Sequence, residues 1–182
     1  MAIELIESTY GRPSSCRPSS AGMVEKYAER LPGPLLATWA EQGWCAYGGG
    51  LLWLTDPDAF QEVADLWAPD AASAPCFART AFGDLFLWDG QGVIFIDVIE
   101  GERWNFQGPW EEFVKFVTEP VWKMSALRVD IFEEARALVG PPNHDELYAF
   151  EPAVCLGGPG TADTIQRRNL FAHLHFLREC QD

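Results

Sequence analysis

The chain has 182 residues, of which 48% are hydrophobic and 13% aromatic, enough for one substantial core or two small ones that share an interface. Thirteen basic against 27 acidic residues give a formal net charge of −14, which argues against direct binding of nucleic acid or of an anionic membrane surface. Glu4 and Glu7 stand where a signal peptide carries basic residues, and no apolar stretch approaches the roughly 20 residues of a membrane span, so we expect a cytoplasmic protein.

The first 20 residues contain the segment GRPSSCRPSS, which is rich in proline and serine and has no apolar periodicity. They are predicted to form a flexible lead-in. Two short helices should follow, because apolar residues then recur at the spacing of a buried helical face. Their predicted buried residues are Val24, Tyr27, Ala28 and Leu31 in the first helix and Leu35, Leu36, Trp39 and Ala40 in the second.

The middle of the chain predicts an antiparallel sheet. A short strand is expected at 51–54, and Asp56 followed by Pro57 is a typical helix start. Strands are predicted at 78–88, 93–98 and 102–106, with an Asp-Gly hairpin turn after the first of them. An amphipathic helix with Trp110, Phe113, Val114 and Val117 should cover one face of this sheet, and Pro120 should end it.

The remaining residues predict a small, mainly helical unit packed on the sheet. We expect a helix at 125–139, a short strand at 146–154 and a final helix in which Leu170, His173, Leu174 and Leu177 share one face. The predicted fold class is therefore α+β. The predicted organisation is a lead-in at 1–20, an α+β domain at 21–119 and a C-terminal domain at 120–182.

No catalytic or metal-binding constellation is evident in the sequence. The five cysteines are widely spaced and form no CxxC pair, so they are interpreted as reduced, mostly buried thiols. His173 and His175 would point in different directions on a helix, and His144 has no nucleophile or third ligand near it in sequence. We accordingly predict no catalytic residue, no metal and no cofactor.

Negative charge is concentrated between Leu31 and Glu102, where eleven acidic residues accompany a single base, Arg79. Such a segment would attract a basic protein partner, although solvated carboxylates alone would explain it equally well. Tryptophans beside acidic turns would add contact area to a protein-binding surface. The predicted partner-binding residues are Asp56, Asp58, Glu62, Asp65, Asp84, Trp88, Asp89, Glu100, Glu102 and Trp104.

Three segments, YGGGLLWLTDP (47–57), ARTAFGDLFLWDG (78–90) and LGGPGTADTIQRRNLFAHLHFL (156–177), carry a family resemblance. In their order and spacing the chain resembles bacterial proteins that join a GAD-related domain to a C-terminal domain named for immunity proteins against DNase toxins of type VI secretion. The resemblance implies a non-enzymatic protein that binds and neutralises a cognate nuclease toxin, of which GHH-type DNase effectors are one kind. It transfers no individual contact residue.

Two other functions remain open from the sequence. One is a small enzyme or ligand-sensing domain with a pocket between the two units, in which His144 and nearby carboxylates supply the polar groups. It predicts a concave site with a perturbed titratable group. The other is a structural or adaptor module without a toxin partner.

Overall fold

The structure is a computed structural model, and it describes residues 2–181. Its strands are β1 (Ser14–Arg17), β2 (Trp44–Tyr47), β3 (Leu52–Leu54), β4 (Cys76–Thr80), β5 (Leu85–Trp88), β6 (Gly92–Asp97), β7 (Glu102–Gln107), β8 (Glu146–Phe150) and β9 (Ile165–Asn169). Its helices are α1 (Ala2–Tyr10), α2 (Ala21–Tyr27), α3 (Gly33–Gln42), α4 (Pro57–Trp67), α5 (Trp110–Thr118), α6 (Pro120–Ser125), α7 (Val129–Val139) and α8 (Leu170–Gln181).

A seven-stranded antiparallel sheet forms the centre of the molecule, with its strands in the order β1 to β7. This is a meander, since each strand pairs with its neighbour in sequence. The α+β fold class is confirmed. The prediction of one strand over 78–88 is wrong, because the chain reverses between β4 and β5, and Gly83 takes a φ of +94° in that reversal.

Within the segment predicted as a lead-in, 1–20, the described residues include a helix and a strand that the sequence did not predict. Residues 2–10 form α1, on which Ile6 and Tyr10 are buried, and the Tyr10 hydroxyl donates a hydrogen bond to the carbonyl oxygen of Val117 on α5. Residues 14–17 form the exposed edge strand β1, which pairs with β2. Sequence periodicity missed both elements because α1 is short and β1 is held by main-chain pairing rather than by buried side chains.

The prediction that all five cysteines are reduced thiols is wrong for two of them. Cys16 on β1 and Cys45 on β2 form a disulfide between the two paired strands. Their 29-residue separation in sequence gave no sign of this proximity, which arises only when β1 adds to the sheet. Cys76, Cys155 and Cys180 are free thiols, and of these only Cys76 is fully buried.

An aromatic row crosses one face of the sheet. Phe77, Phe86, Phe95 and Trp104 contact one another from strand to strand, with ring centroids 4.8 to 6.2 Å apart. Rings from α5 and α6 close over this row, including Trp110, Phe113 and Trp122. Each buried aromatic removes about 150–250 Å² from water, so this layer is a main source of the stability of the fold.

The C-terminal unit consists of α7, α8 and the two-stranded sheet of β8 and β9. Pro120 does not simply end a helix as predicted: it stands at the first turn of the short helix α6, where proline needs no N–H partner. α8 packs beside α4, through the ring contact of Phe60 with Phe171 and the hydrogen bond from Trp67 Nε1 to the carbonyl oxygen of Leu174.

Candidate functional site

Four of the predicted partner-binding carboxylates lie on α4 or at its N-cap. Asp56 caps this helix by accepting a hydrogen bond from the backbone N–H of Asp58 at 3.0 Å. Asp58, Glu62 and Asp65 follow with the i, i+4, i+7 spacing of a single helical face, and all three residues are exposed. We refer to Asp58, Glu62 and Asp65 as the α4 acidic row.

The members of the α4 acidic row differ in how far their charge is already balanced. Asp58 accepts hydrogen bonds from Lys26 Nζ at 2.6 Å and from the Tyr27 hydroxyl at 2.7 Å, and these bonds lower the pKa of Asp58. Asp65 accepts from the Gln61 amide and from a backbone N–H, neither of which carries charge. Glu62 has a side chain 85% exposed, 3.6 Å from His175. Glu62 and Asp65 therefore carry most of the charge that a partner would meet here.

The two hairpin turns do not form one surface. Trp88 and Asp89 precede β6, whereas Glu100 and Glu102 lie beyond its other end. Six residues of strand separate the two turns, which is about 20 Å at roughly 3.4 Å per residue. The structure therefore splits the predicted partner-binding residues into groups at opposite ends of the sheet.

Trp88 and Trp104 are less available than the sequence suggested. Trp88 is partly buried and packs edge-on against Trp110, with 6.4 Å between ring centroids. Trp104 is 36% exposed but stacks on Phe95 at 5.3 Å. Both rings therefore belong mainly to the aromatic layer between the sheet and its helices.

The prediction that Asp84 binds a partner is wrong, because Asp84 is fully buried and cannot contribute to a surface. It accepts hydrogen bonds from the Thr80 hydroxyl at 2.7 Å and from Arg128 at 3.2 Å, and Arg128 also binds Asp97. Burial raises the pKa of Asp84 to about 7, against the opposing effect of Arg128. The position of Asp84 next to a turn suggested exposure, but the residue anchors Arg128 to the sheet.

An open cavity of about 550 Å³ lies between the segment that follows α4 and the β5–β6 turn. Asp89 lines it together with two carboxylates that were not predicted as site residues, Glu29 and Asp70. Asp70 is held by Arg103 at 2.5 Å, which lowers the pKa of this carboxyl. The α4 acidic row reaches this cavity, since Asp65 accepts a hydrogen bond from the backbone N–H of the lining residue Ser73.

A second cavity, of about 310 Å³, lies between the sheet and the C-terminal unit. His144, Asp145 and Phe171 line it from the C-terminal side, and Trp53 and Arg79 from the sheet. Burial lowers the pKa of His144, and it lowers the pKa of Arg79 to about 9. This concave site with perturbed groups matches what the ligand-sensing alternative predicts. The sequence analysis did not predict Arg79 as a site residue. The one feature that could have indicated it is that Arg79 is the only basic residue between Leu31 and Glu102.

Within residues 2–181, no group of three or more His, Cys, Asp or Glu side chains is placed to hold a metal ion. No helix in the same part of the chain is long and apolar enough to cross a membrane.

The architecture defines a two-part α+β protein of a known kind. Residues 1–99 match the GAD-like domain, and residues 110–180 match the C-terminal domain of the T6SS immunity protein Tdi1. The chain therefore belongs to the GAD-like family and, by both matches together, to a family of type VI secretion immunity proteins. The matched segments differ from the predicted division at 119/120, which stays a prediction.

A solved structure shares this fold. The crystal structure of Atu4351 from Agrobacterium tumefaciens superposes with a TM-score of 0.80 at 14% sequence identity, covering 97% of this chain and 88% of that one. The two chains thus share this fold although their sequences are very different. No curated protein matches the sequence.

Proposed function

We propose that this immunity protein acts in the cytoplasm by binding a nuclease toxin directly, through its carboxylate-bearing surface, and that it performs no catalysis itself. The observation that carries the proposal is the α4 acidic row, which leads into a cavity that Asp89 and Glu29 line together with the paired Asp70 and Arg103 and with Arg30. Glu62, Asp65 and Asp89 are carboxylates of this surface that have no Lys or Arg partner among the described residues. A nuclease needs a basic surface for DNA, and such a surface is complementary to this one.

The proposal assigns different roles to the predicted residues. Glu62, Asp65 and Asp89 would face the toxin, because their carboxylates are exposed and lack a Lys or Arg salt bridge among the described residues. Asp56 would hold the start of α4. Glu100 and Glu102 lie at the other end of the sheet and would contribute only to long-range attraction.

Co-expression with a candidate nuclease, sought among the proteins encoded next to this one, provides the first test. We expect the two proteins to co-purify and the immunity protein to suppress plasmid degradation by the toxin. A stable toxin that neither binds the chain nor loses activity in its presence would refute the proposal. A complex in which nuclease activity persists would refute neutralisation while preserving binding.

Charge reversal tests the surface itself. Glu62→Lys with Asp65→Lys should slow association with the toxin by about tenfold or more at low ionic strength, with a smaller effect as salt rises. The matched control, Glu41→Lys with Glu134→Lys, makes the same change in charge at exposed helical positions elsewhere. Equal slowing by both pairs would show that net charge matters and that the assigned surface does not.

A further inference from the structure

The cavity between the sheet and the C-terminal unit contains an unusual buried cation. Arg79 is 1% exposed, and its guanidinium lies 4.7 Å from the ring centre of Trp53. Three of its five N–H donors meet backbone carbonyl oxygens, of Thr80, Asn143 and His144. Arginine is seldom buried this fully without a carboxylate.

Asp145 is the carboxylate whose charge raises the pKa of Arg79, but it already forms an ion pair with another arginine. Asp145 is held by Arg17 through two hydrogen bonds, of 2.9 and 3.3 Å, at the rim of the cavity. Within residues 2–181, no carboxylate oxygen lies within salt-bridge distance of Arg79. The positive charge of this guanidinium is therefore balanced by backbone carbonyl oxygens, and by no paired carboxylate of the described residues.

Two more polar side chains belong to the residues that line this cavity. The His144 ring contacts the carbonyl oxygen of Ser15 through Nε2, and since a carbonyl only accepts, Nε2 carries the proton and Nδ1 is an acceptor. The indole N–H of the lining residue Trp44 is buried and has no partner in the described structure. Trp53, Phe60 and Phe171 supply apolar aromatic walls.

We propose that this cavity binds a small planar monoanion, an aromatic ring bearing one carboxylate, with the carboxylate on Arg79 and the ring against the aromatic walls. A single carboxylate matches the one positive charge of the guanidinium. Both hydrogens of Nη2 are already donated to backbone carbonyl oxygens, so the carboxylate would accept one charge-assisted hydrogen bond, from Nε or from Nη1. A phosphate dianion fits less well, because Asp56 and Asp145 would repel the second charge. The volume of about 310 Å³ lies at the lower end of the range for small-molecule sites.

The site joins both parts of the protein, since its walls come from residues within 1–99 and within 110–180. A ligand there would bridge them and stabilise the folded chain in proportion to its concentration. This inference is independent of toxin binding, because the cavity excludes Glu62 and Asp65.

The proposal is tested by titrating the full chain with 4-hydroxybenzoate and with indole-3-carboxylate. Binding is followed by calorimetry and by tryptophan fluorescence. We expect at least one of these acids to bind about tenfold or more tightly than its neutral alcohol analogue and than acetate, since each analogue lacks one of the two recognised groups. Adenosine monophosphate is titrated in the same way, to distinguish a site for aromatic carboxylates from a site for nucleotides. Tighter binding of this nucleotide than of both acids, equal binding of the alcohols, or no binding of either acid would overturn the proposal.

Two variants locate the site. Ala59→Phe fills the cavity from its rim without removing charge, and it should weaken binding of the acid by about tenfold or more while toxin protection is retained. Ala37→Phe adds the same ring at an exposed position on α3, away from the cavity, and should leave binding unchanged. Arg79→Met should abolish the preference for the acid over the alcohol. Binding unaffected by Ala59→Phe would place the ligand elsewhere and refute the assignment.

Discussion

The buried contact between Arg128 and two aspartates should be among the most sensitive points of the fold. The Arg128 side chain is 11% exposed, and its partners Asp84 and Asp97 are 0% and 4% exposed. Arg128→Met removes the cation and leaves both carboxylates in a poorly solvated site. Breaking a buried ion pair from one side costs about 3–5 kcal/mol.

This loss of unfolding free energy can be converted into an expected decrease in the melting temperature. For a chain of this size each kcal/mol corresponds to roughly 2–4 °C, so the expected decrease is about 6–20 °C. Urea and thermal unfolding followed by tryptophan fluorescence would measure it. The control is Arg136→Met, which removes an exposed pair with Glu133 and should cost below about 1 kcal/mol. Equal losses for the two variants would show that burial of the Arg128 contact contributes nothing.

The same contact predicts a pH dependence with a definite sign. Burial raises the pKa of Asp84 to about 7, above its unfolded value, so native Asp84 binds more protons than unfolded Asp84 as pH falls below 7. In Arg128→Met the lost attraction should raise this pKa further. The stability deficit of the variant should therefore narrow between pH 8 and pH 5. A constant deficit over this range would contradict the explanation.

Three further predictions concern single sites. Gly83→Ala should cost about 2–5 kcal/mol, because a Cβ there meets buried leucine side chains at 2.8 and 3.0 Å, whereas Gly90→Ala, with nearly the same φ and open space, should cost only about 1–2 kcal/mol in urea unfolding. Cys16→Ser should lower stability by about 3–4 kcal/mol relative to the oxidised protein, and the difference should vanish in reductant. Asp58 has a lowered pKa, so its contribution, below about 1 kcal/mol after solvent screening, should be present above pH 4 and lost as pH falls through the folded pKa, as NMR titration of its carboxyl would show.

Local sequence determined most of the elements between residues 21 and 118. Helix starts such as Asp56–Pro57 and the Asp-Gly turn after Trp88 act through a few neighbouring residues, so they can be recognised without knowing the fold. The apolar patterns of α4 and α5 also specify which face is buried. The concentration of negative charge is likewise a property of the sequence alone.

Tertiary structure decided the features that depend on residues distant in sequence. Asp84 sits beside a turn in a strongly acidic segment, yet it is buried because Arg128, 44 residues later, meets it inside the fold. β1 becomes a strand only because β2 offers it a free edge, and this pairing also brings Cys16 to Cys45. Arg79 stood out in the sequence as a lone base. Its position in a cavity wall arises only when the C-terminal unit packs on the sheet, because no local pattern encodes a contact between segments 64 residues apart.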